Sequence, residues 1–267
     1  MPTHPANQPP RTARTGAPTR VPTASGSSGG AVVSALLLLL LDSRAPAGGH
    51  SHSGGMEAAV TAGFVAGIAD VEQFCRGRLR TDGRVAAAFA ATACSAWSSG
   101  AGADDWADLD AELDARTPSE AMRSASRRLG GGLRRLLRSM LPDADLTTSW
   151  AGCGQPAPHH PLVTGAGVAL AGGDAELAAR AAALGTCTAP ASAAVRLLGL
   201  DPYAVQRMLA RLAPEVDELA RRSAELTSGL PGPGQCGSWR FLPANGAPAL
   251  GLLADHHQRT EVRLFAS

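Results

Sequence analysis

From about residue 31 onward, this chain never sustains the every-second-residue alternation that a half-buried strand requires. β-Branched residues are sparse, and alanine and leucine dominate. Apolar residues return instead at three- and four-residue steps, so the body reads as helix after helix. Aromatic residues make up 4% of the 267-residue chain, although 45% of it is hydrophobic. A core of small aliphatic side chains favours close helix–helix contact over sheet packing. The expected architecture is all-α: a single domain of about ten helices over 31–267, after a disordered Pro/Thr/Ser/Gly-rich tail over 1–30. That tail has almost no large apolar groups to bury.

The first two apolar runs, Ala31–Leu41 and Ala58–Val65, flank an unusual connection. Residues 45–57 hold four glycines, two histidines and two serines. So permissive a backbone is entropically costly, which points to an unusual loop conformation. Asp70 is predicted to cap the next helix, with Val71, Phe74, Cys75 and Leu79 on one face. Asp82 is predicted to cap another, running through Val85 and Phe89 to Trp97. A short acidic helix over Asp104–Ala115 turns Trp106, Leu109 and Leu113 inward. Thr117-Pro118-Ser119-Glu120 reads as a helix start, with threonine as cap, proline at the first position and glutamate closing a capping box. Gly130, Gly131 and Gly132 fall inside this helix, each costing about 1 kcal/mol relative to alanine. Close approach of another segment explains them, and so does a local kink. Residues 142–158 read as loop, Pro161–Ala171 and Asp174–Leu184 as a helical pair, and Pro190 as the start of a further helix. Asp201-Pro202 caps the longest helix, with an inward stripe of Val205, Met208, Leu209, Leu212, Val216 and Leu219. A last helical piece covers about 247–257, and the tail beyond keeps Val262, Leu264 and Phe265, which are expected to dock on a partner.

Several function classes are excluded by composition. The chain has no lysine; all 24 cationic side chains are arginine. Walker A phosphate binding, Schiff-base catalysis and a lysine general base are therefore absent. The net charge of +1 argues against a nucleic-acid binder. The five cysteines form no CxxC pair, so they read as small core residues rather than a disulfide framework or zinc site. No GxSxG, HExxH or supported catalytic cysteine occurs. Ala31–Leu41 followed by Ala45-Pro46-Ala47 mimics a secretory segment. The long, weakly basic stretch before it and the charges at Asp42 and Arg44 favour a retained, buried first helix. The run is too short to span a bilayer. A cytoplasmic protein without membrane association is expected.

His50 and His52 share the glycine-rich loop and could contact a transition metal transiently, but two imidazoles fall short of a tight site. Adjacent pairs His159-His160 and His256-His257 point about 100° apart if helical, a poor chelate. The segment 118–141 carries Arg123, Arg127, Arg128, Arg134, Arg135 and Arg138 against one acid, Glu120. A solvated face is the simple reading, and a docking face for an acidic partner is the sharper one.

Four stretches, in order, resemble one family. Leu37–Glu57 is similar to the opening of the urease accessory protein UreF family, where a leucine-rich helix leads through proline and Gly-Gly to a Ser-x-Gly-Leu-Glu-like element. Asp114–Gly130 resembles that family's central Ser/Arg…Gly helix, Ala193–Leu197 its Ala-Ala-Val-Arg-Leu segment, and Arg263–Ser267 its Arg-Leu-Phe-x-Ser terminus. The wording is most similar to versions from high-GC actinobacteria. Met56 departs from the usual leucine, and residues 1–30 have no counterpart. The resemblance implies an all-α, non-enzymatic protein with no cofactor of its own. It implies a dimer that binds UreD (also called UreH) and the GTPase UreG, regulates that GTPase, and helps deliver nickel to the apo-urease subunits. Matching positions expected at partner interfaces are Gly48, Gly49, His50, His52, Ser53, Glu57, Arg116, Ser126, Gly130, Arg196, Arg263, Leu264 and Phe265.

Overall fold

A computed structural model describes residues 34–42, 44–45, 52–154, 157–230, 234 and 238–258. Among these residues the fold is all-α, with no strand. The helices are α1 (Ala35–Leu41), α2 (Met56–Thr61), α3 (Ile68–Arg78), α4 (Arg84–Ser98), α5 (Ala103–Ala115), α6 (Glu120–Met140), α7 (Leu146–Ser149), α8 (His160–Leu170), α9 (Ala175–Leu198), α10 (Pro202–Ser228) and α11 (Pro248–Gln258). A π-turn, Leu79–Gly83, joins α3 to α4, and a 3₁₀ turn, Ser238–Phe241, precedes α11.

The centre of the body is α4, whose run of alanines is buried on nearly every side. Small side chains let neighbours come close. At the crossing with α8, a Cβ on Gly165 would lie 2.2 Å from the Ala90 carbonyl oxygen. Ala179, Ala183 and Ala194 of α9 join Met208, Leu212 and Val216 of α10 in one core cluster. A second cluster gathers Phe89, Leu109, Leu137 and Leu162 around Trp106 and Trp150. Trp97, Trp106 and Trp150 stand with ring centroids about 6 Å apart, suiting tilted and edge-on contact. The first helix buries one face only: Leu37 and Leu40 point inward, while Leu38 and Leu39 are exposed. Among the described helices, α9 alone is long and apolar enough to cross a membrane. Its apolarity serves the core, where it packs against α4 and α10.

Five expectations move: Asp70 lies at the third position of α3 behind a Gly67 cap, the expected loop over 142–158 holds the short helix α7, and three further boundaries shift. Asp82 caps nothing: the chain runs from α3 through the π-turn into α4, and Asp82 sits inside that turn beside Arg78. Gly83 permits the geometry, because a Cβ there would meet the Arg78 carbonyl at 3.0 Å. The cap of α6 is Ser119, not Thr117; its Oγ accepts from Met122 N at 3.2 Å. Asp255 of α11 completes this cap, accepting from Ser119 Oγ at 2.6 Å and Ala121 N at 3.1 Å. Pro190 does not start a helix but lies buried within α9. One lost backbone donor costs less there than the packing gained by keeping a continuous alanine face. Asp201 does cap α10, accepting from the amides of Tyr203 and Ala204.

The glycines of α6 also find their cause. A Cβ on Gly130 would stand 2.0 Å from the Pro158 carbonyl oxygen, so the strand of chain entering α8 lies directly on the helix. Close approach, not a kink, explains the position. Cys75, Cys94, Cys153 and Cys187 are all buried, as expected of small core residues; Cys236 lies outside the described residues.

Candidate functional site

A groove of ≈ 960 Å³ opens between α6, α9 and α11 and is closed at one end by residues 52–55 and the π-turn. Helical spacing builds its apolar walls: Met122 and Leu129 from α6, Ala182 and Val195 from α9, Leu250 and Ala254 from α11. Its polar end is different. His52 Nδ1, Arg78 Nε and Asp82 Oδ2 line the groove or border it as buried atoms without a hydrogen-bond partner, and Ser53 Oγ beside them is the same. Buried polar groups are ordinarily paired, so these four atoms set this end apart from the apolar walls.

The glycine-rich loop shapes this end. Gly54 and Gly55 adopt left-handed backbone with φ of 58° and 87°. Arg78 donates to the Gly54 carbonyl, and a Cβ on Gly54 would press to 3.2 Å from the guanidinium. The expected unusual loop conformation is therefore real at these two positions. Asp82 lies 3.6 Å from Arg78, and burial raises its carboxyl pKa.

His52 and His160 both line the groove. Burial, helped by the Arg128 charge, lowers the pKa of His52. Burial and neighbouring His52 bring His160 down to about 4. An imidazole depressed in the folded state binds its proton more readily when unfolded. Stability from this site is thus full above about pH 6.5 and is lost as pH falls toward about 4. The His160→Asn variant is expected to lose part of this acid sensitivity in urea unfolding at pH 4.5–7; an unchanged pH dependence would contradict the assignment.

Behind the groove lies a buried ionic network. Arg127 Nη1 donates to Asp110 Oδ2 and to the Ala157 carbonyl, both at 2.9 Å, and Nη2 donates to Asp114 Oδ1 at 2.8 Å. Asp110 also accepts from the amides of Gly154 and His159. The His159 ring bridges Asp114, at 2.9 Å, and Ser126, at 3.0 Å. Burial pushes the Asp114 pKa up, but its bonds to Arg127 and His159 outweigh this and hold it low. Burial and the adjacent Arg127 cation lower the His159 pKa. The network ties α5, α6 and the start of α8 together.

The sequence-derived positions therefore divide. His52 and Ser53 meet at the groove's polar end, and Ser126 and Arg196 also line the groove. Ser126 Oγ is held by His159 and accepts from the His160 amide. Glu57 is buried and paired with His257 Nε2 at 3.1 Å, joining α2 to α11. Arg116 lies over the Phe89 ring, 5.5 Å from its centroid. It donates to carbonyls of the 239–243 segment, Pro243 at 3.1 Å among them. Gly130 is the contact point for Pro158. Gly48, Gly49, His50, Arg263, Leu264 and Phe265 lie outside the described residues. Sequence reading missed Arg78 and Asp82, whose four-residue spacing looks like a surface ion pair. It also missed the network, although the equally spaced Asp110 and Asp114 were a signal. Among the described residues, no cluster of three or more His, Cys, Asp or Glu could hold a metal.

A model of the UreF family matches residues 65–213. The urease accessory protein UreF of Mycobacterium sp. strain JLS is 41% identical over 85% of this chain and 96% of its own length. That of Mycobacterium marinum is 42% identical over 85% and 96%, respectively. That of Mycobacterium tuberculosis H37Rv is 43% identical over 72% and 84%. The chain belongs to the UreF family of urease accessory proteins.

Proposed function

We propose that this protein acts in urease maturation as a non-catalytic scaffold: it binds UreD/UreH and UreG, regulates the UreG GTPase, and supports nickel insertion into the apo-urease subunits. The observation that carries this reading is family membership, with 41% identity extending over 96% of a UreF relative. The residue inventory supports it further, since no lysine is present for a phosphate loop or Schiff-base catalysis. Nickel is cargo of the assembly here, not a resident cofactor, and the protein acts as a cytoplasmic homodimer.

The rival reading uses α6 as a general docking face for an acidic partner. Its face is smaller than the arginine count suggests, because Arg127 is buried and Arg123 is engaged with the carbonyls of Thr117 and Pro118. Arg128, Arg135 and Arg138 remain exposed.

The tail offers a direct test. Deleting Arg263–Ser267 is expected to weaken UreD/UreH binding at least about 30-fold, the size of one lost interfacial anchor, while circular dichroism stays the same. Calorimetric titration giving an unchanged affinity would refute the tail's role. Failure of the full-length chain to co-purify with either UreD/UreH or UreG would refute the scaffold reading.

A further inference from the structure

Cys75 on α3 and Cys187 on α9 stand 112 residues apart in sequence and face each other in the core. Both are fully buried. Cys75 Sγ contacts the Cys187 carbonyl at 3.6 Å, and Cys187 Sγ contacts the Cys75 carbonyl at 3.7 Å. Reciprocal contacts of this kind mean that each side chain points at the other residue, which is the orientation a disulfide requires. The other described cysteines lack such a partner. Cys94 reaches only the Gly173 carbonyl, and Cys153 only that of Trp106. Burial pushes both of those thiols up to about 12.

We propose that Cys75 and Cys187 form a redox-reactive dithiol that closes to an intramolecular disulfide when the protein meets a small peroxide. Both thiols lie in the core, so a small peroxide reaches them only when α9 opens beside the groove, which Thr186 and Thr188, on either side of Cys187, line. Cys187, whose neighbours in the chain line the groove, is the first nucleophile. Its thiolate attacks one peroxide oxygen and the O–O bond breaks. The departing oxygen takes a proton and leaves as water, and Cys187 becomes a sulfenic acid. The sulfur of Cys75 then attacks the Cys187 sulfur. The S–O bond breaks, the S–S bond forms, and the hydroxyl leaves with the Cys75 proton as a second water. Two thiols are oxidised by two electrons and one peroxide is reduced to two waters. The product ties α3, and with it the Arg78 and Asp82 end of the groove, covalently to the α9 wall. A thiol pair that cycles this way suits a reducing compartment, where stable structural disulfides are rare.

The test uses the reduced full-length chain treated with hydrogen peroxide, quenched in acid, alkylated in denaturant and mapped by peptide mass spectrometry. The expected result is a cross-linked peptide joining Cys75 to Cys187, absent from Cys75→Ala and Cys187→Ala. The oxidised wild type should also melt roughly 5 °C or more above the reduced form, because a loop of over one hundred residues is closed. Both cysteines remaining alkylatable after peroxide would overturn the proposal. So would pairing of either one with Cys94, Cys153 or Cys236, or with a second chain. If an alanine variant fails to fold, the wild-type peptide map decides alone.

Discussion

The Asp110→Ala variant should lose about 3–5 kcal/mol of stability, a large share of the roughly 5–15 kcal/mol by which folded domains are stable. Asp110 is only 2% exposed. Its carboxylate serves three donors: Arg127 Nη1, Gly154 N and His159 N. Alanine strands all three in a site that water does not readily reach, and it leaves the mostly buried Arg127 cation with Asp114 alone. Asn at the same position keeps acceptor capacity but not charge, and should fall between alanine and wild type. Trp106 lies on the same helix, in contact with Trp97 and Trp150, so intrinsic fluorescence reports the unfolding directly. A shift in the urea midpoint corresponding to less than about 1 kcal/mol would show that the network contributes little.

The second large effect comes from one methyl group. In Gly165→Ala the new Cβ would stand 2.2 Å from the Ala90 carbonyl oxygen and 2.8 Å from the Ala93 Cβ. Neither neighbour is a flexible side-chain end, so α8 and α4 must move apart. The expected cost is about 2–3 kcal/mol, against the slight gain that alanine normally brings within a helix. Gly185→Ala is the control. That glycine is in α9, with nothing within 4 Å of the added carbon. The same substitution there should stabilise by about 0.5–1 kcal/mol. Equal effects at the two sites would rule out close α4–α8 packing as the reason for Gly165.

Much of the architecture could be read from periodicity, because the apolar spacing of α10, with Val205, Met208, Leu212 and Val216, is local information. The misplaced boundaries were decided by non-local contacts. Ser119 rather than Thr117 caps α6 because Asp255, on a helix more than a hundred residues later, locks it there. Pro190 sits inside α9 because α4 and α10 hold the helix continuous around it. Gly130 could be singled out in sequence but not explained, since the Pro158 carbonyl that needs the space arrives from a loop. The arginine-rich stretch of α6 misled for a similar reason. Six like-charged residues read as solvated, yet Arg127 faces inward, where Asp110 and Asp114 of α5 await it. The loop glycines were a sound clue to the groove. The groove itself required α6, α9 and α11 to converge, which no local pattern encodes.

Three of the positions that the family resemblance marked as interfacial are internal ties: Arg116 to the 239–243 segment, Glu57 to His257, Ser126 to His159. Such residues can shape a partner-binding surface by holding its helices in register. A surface of that kind acts by presenting a fixed shape, and stability losses at Asp110 or Gly165 should therefore weaken partner binding in proportion to unfolding. Urease activation is the most direct measurement of this role. Apo-urease is combined with UreD/UreH, UreG, GTP and nickel, with and without the full-length chain, and urea hydrolysis is followed. The account predicts that activation depends on the chain and that the chain alone hydrolyses neither urea nor GTP. Equal activation in its absence, or turnover of either substrate by the purified chain alone, would contradict it.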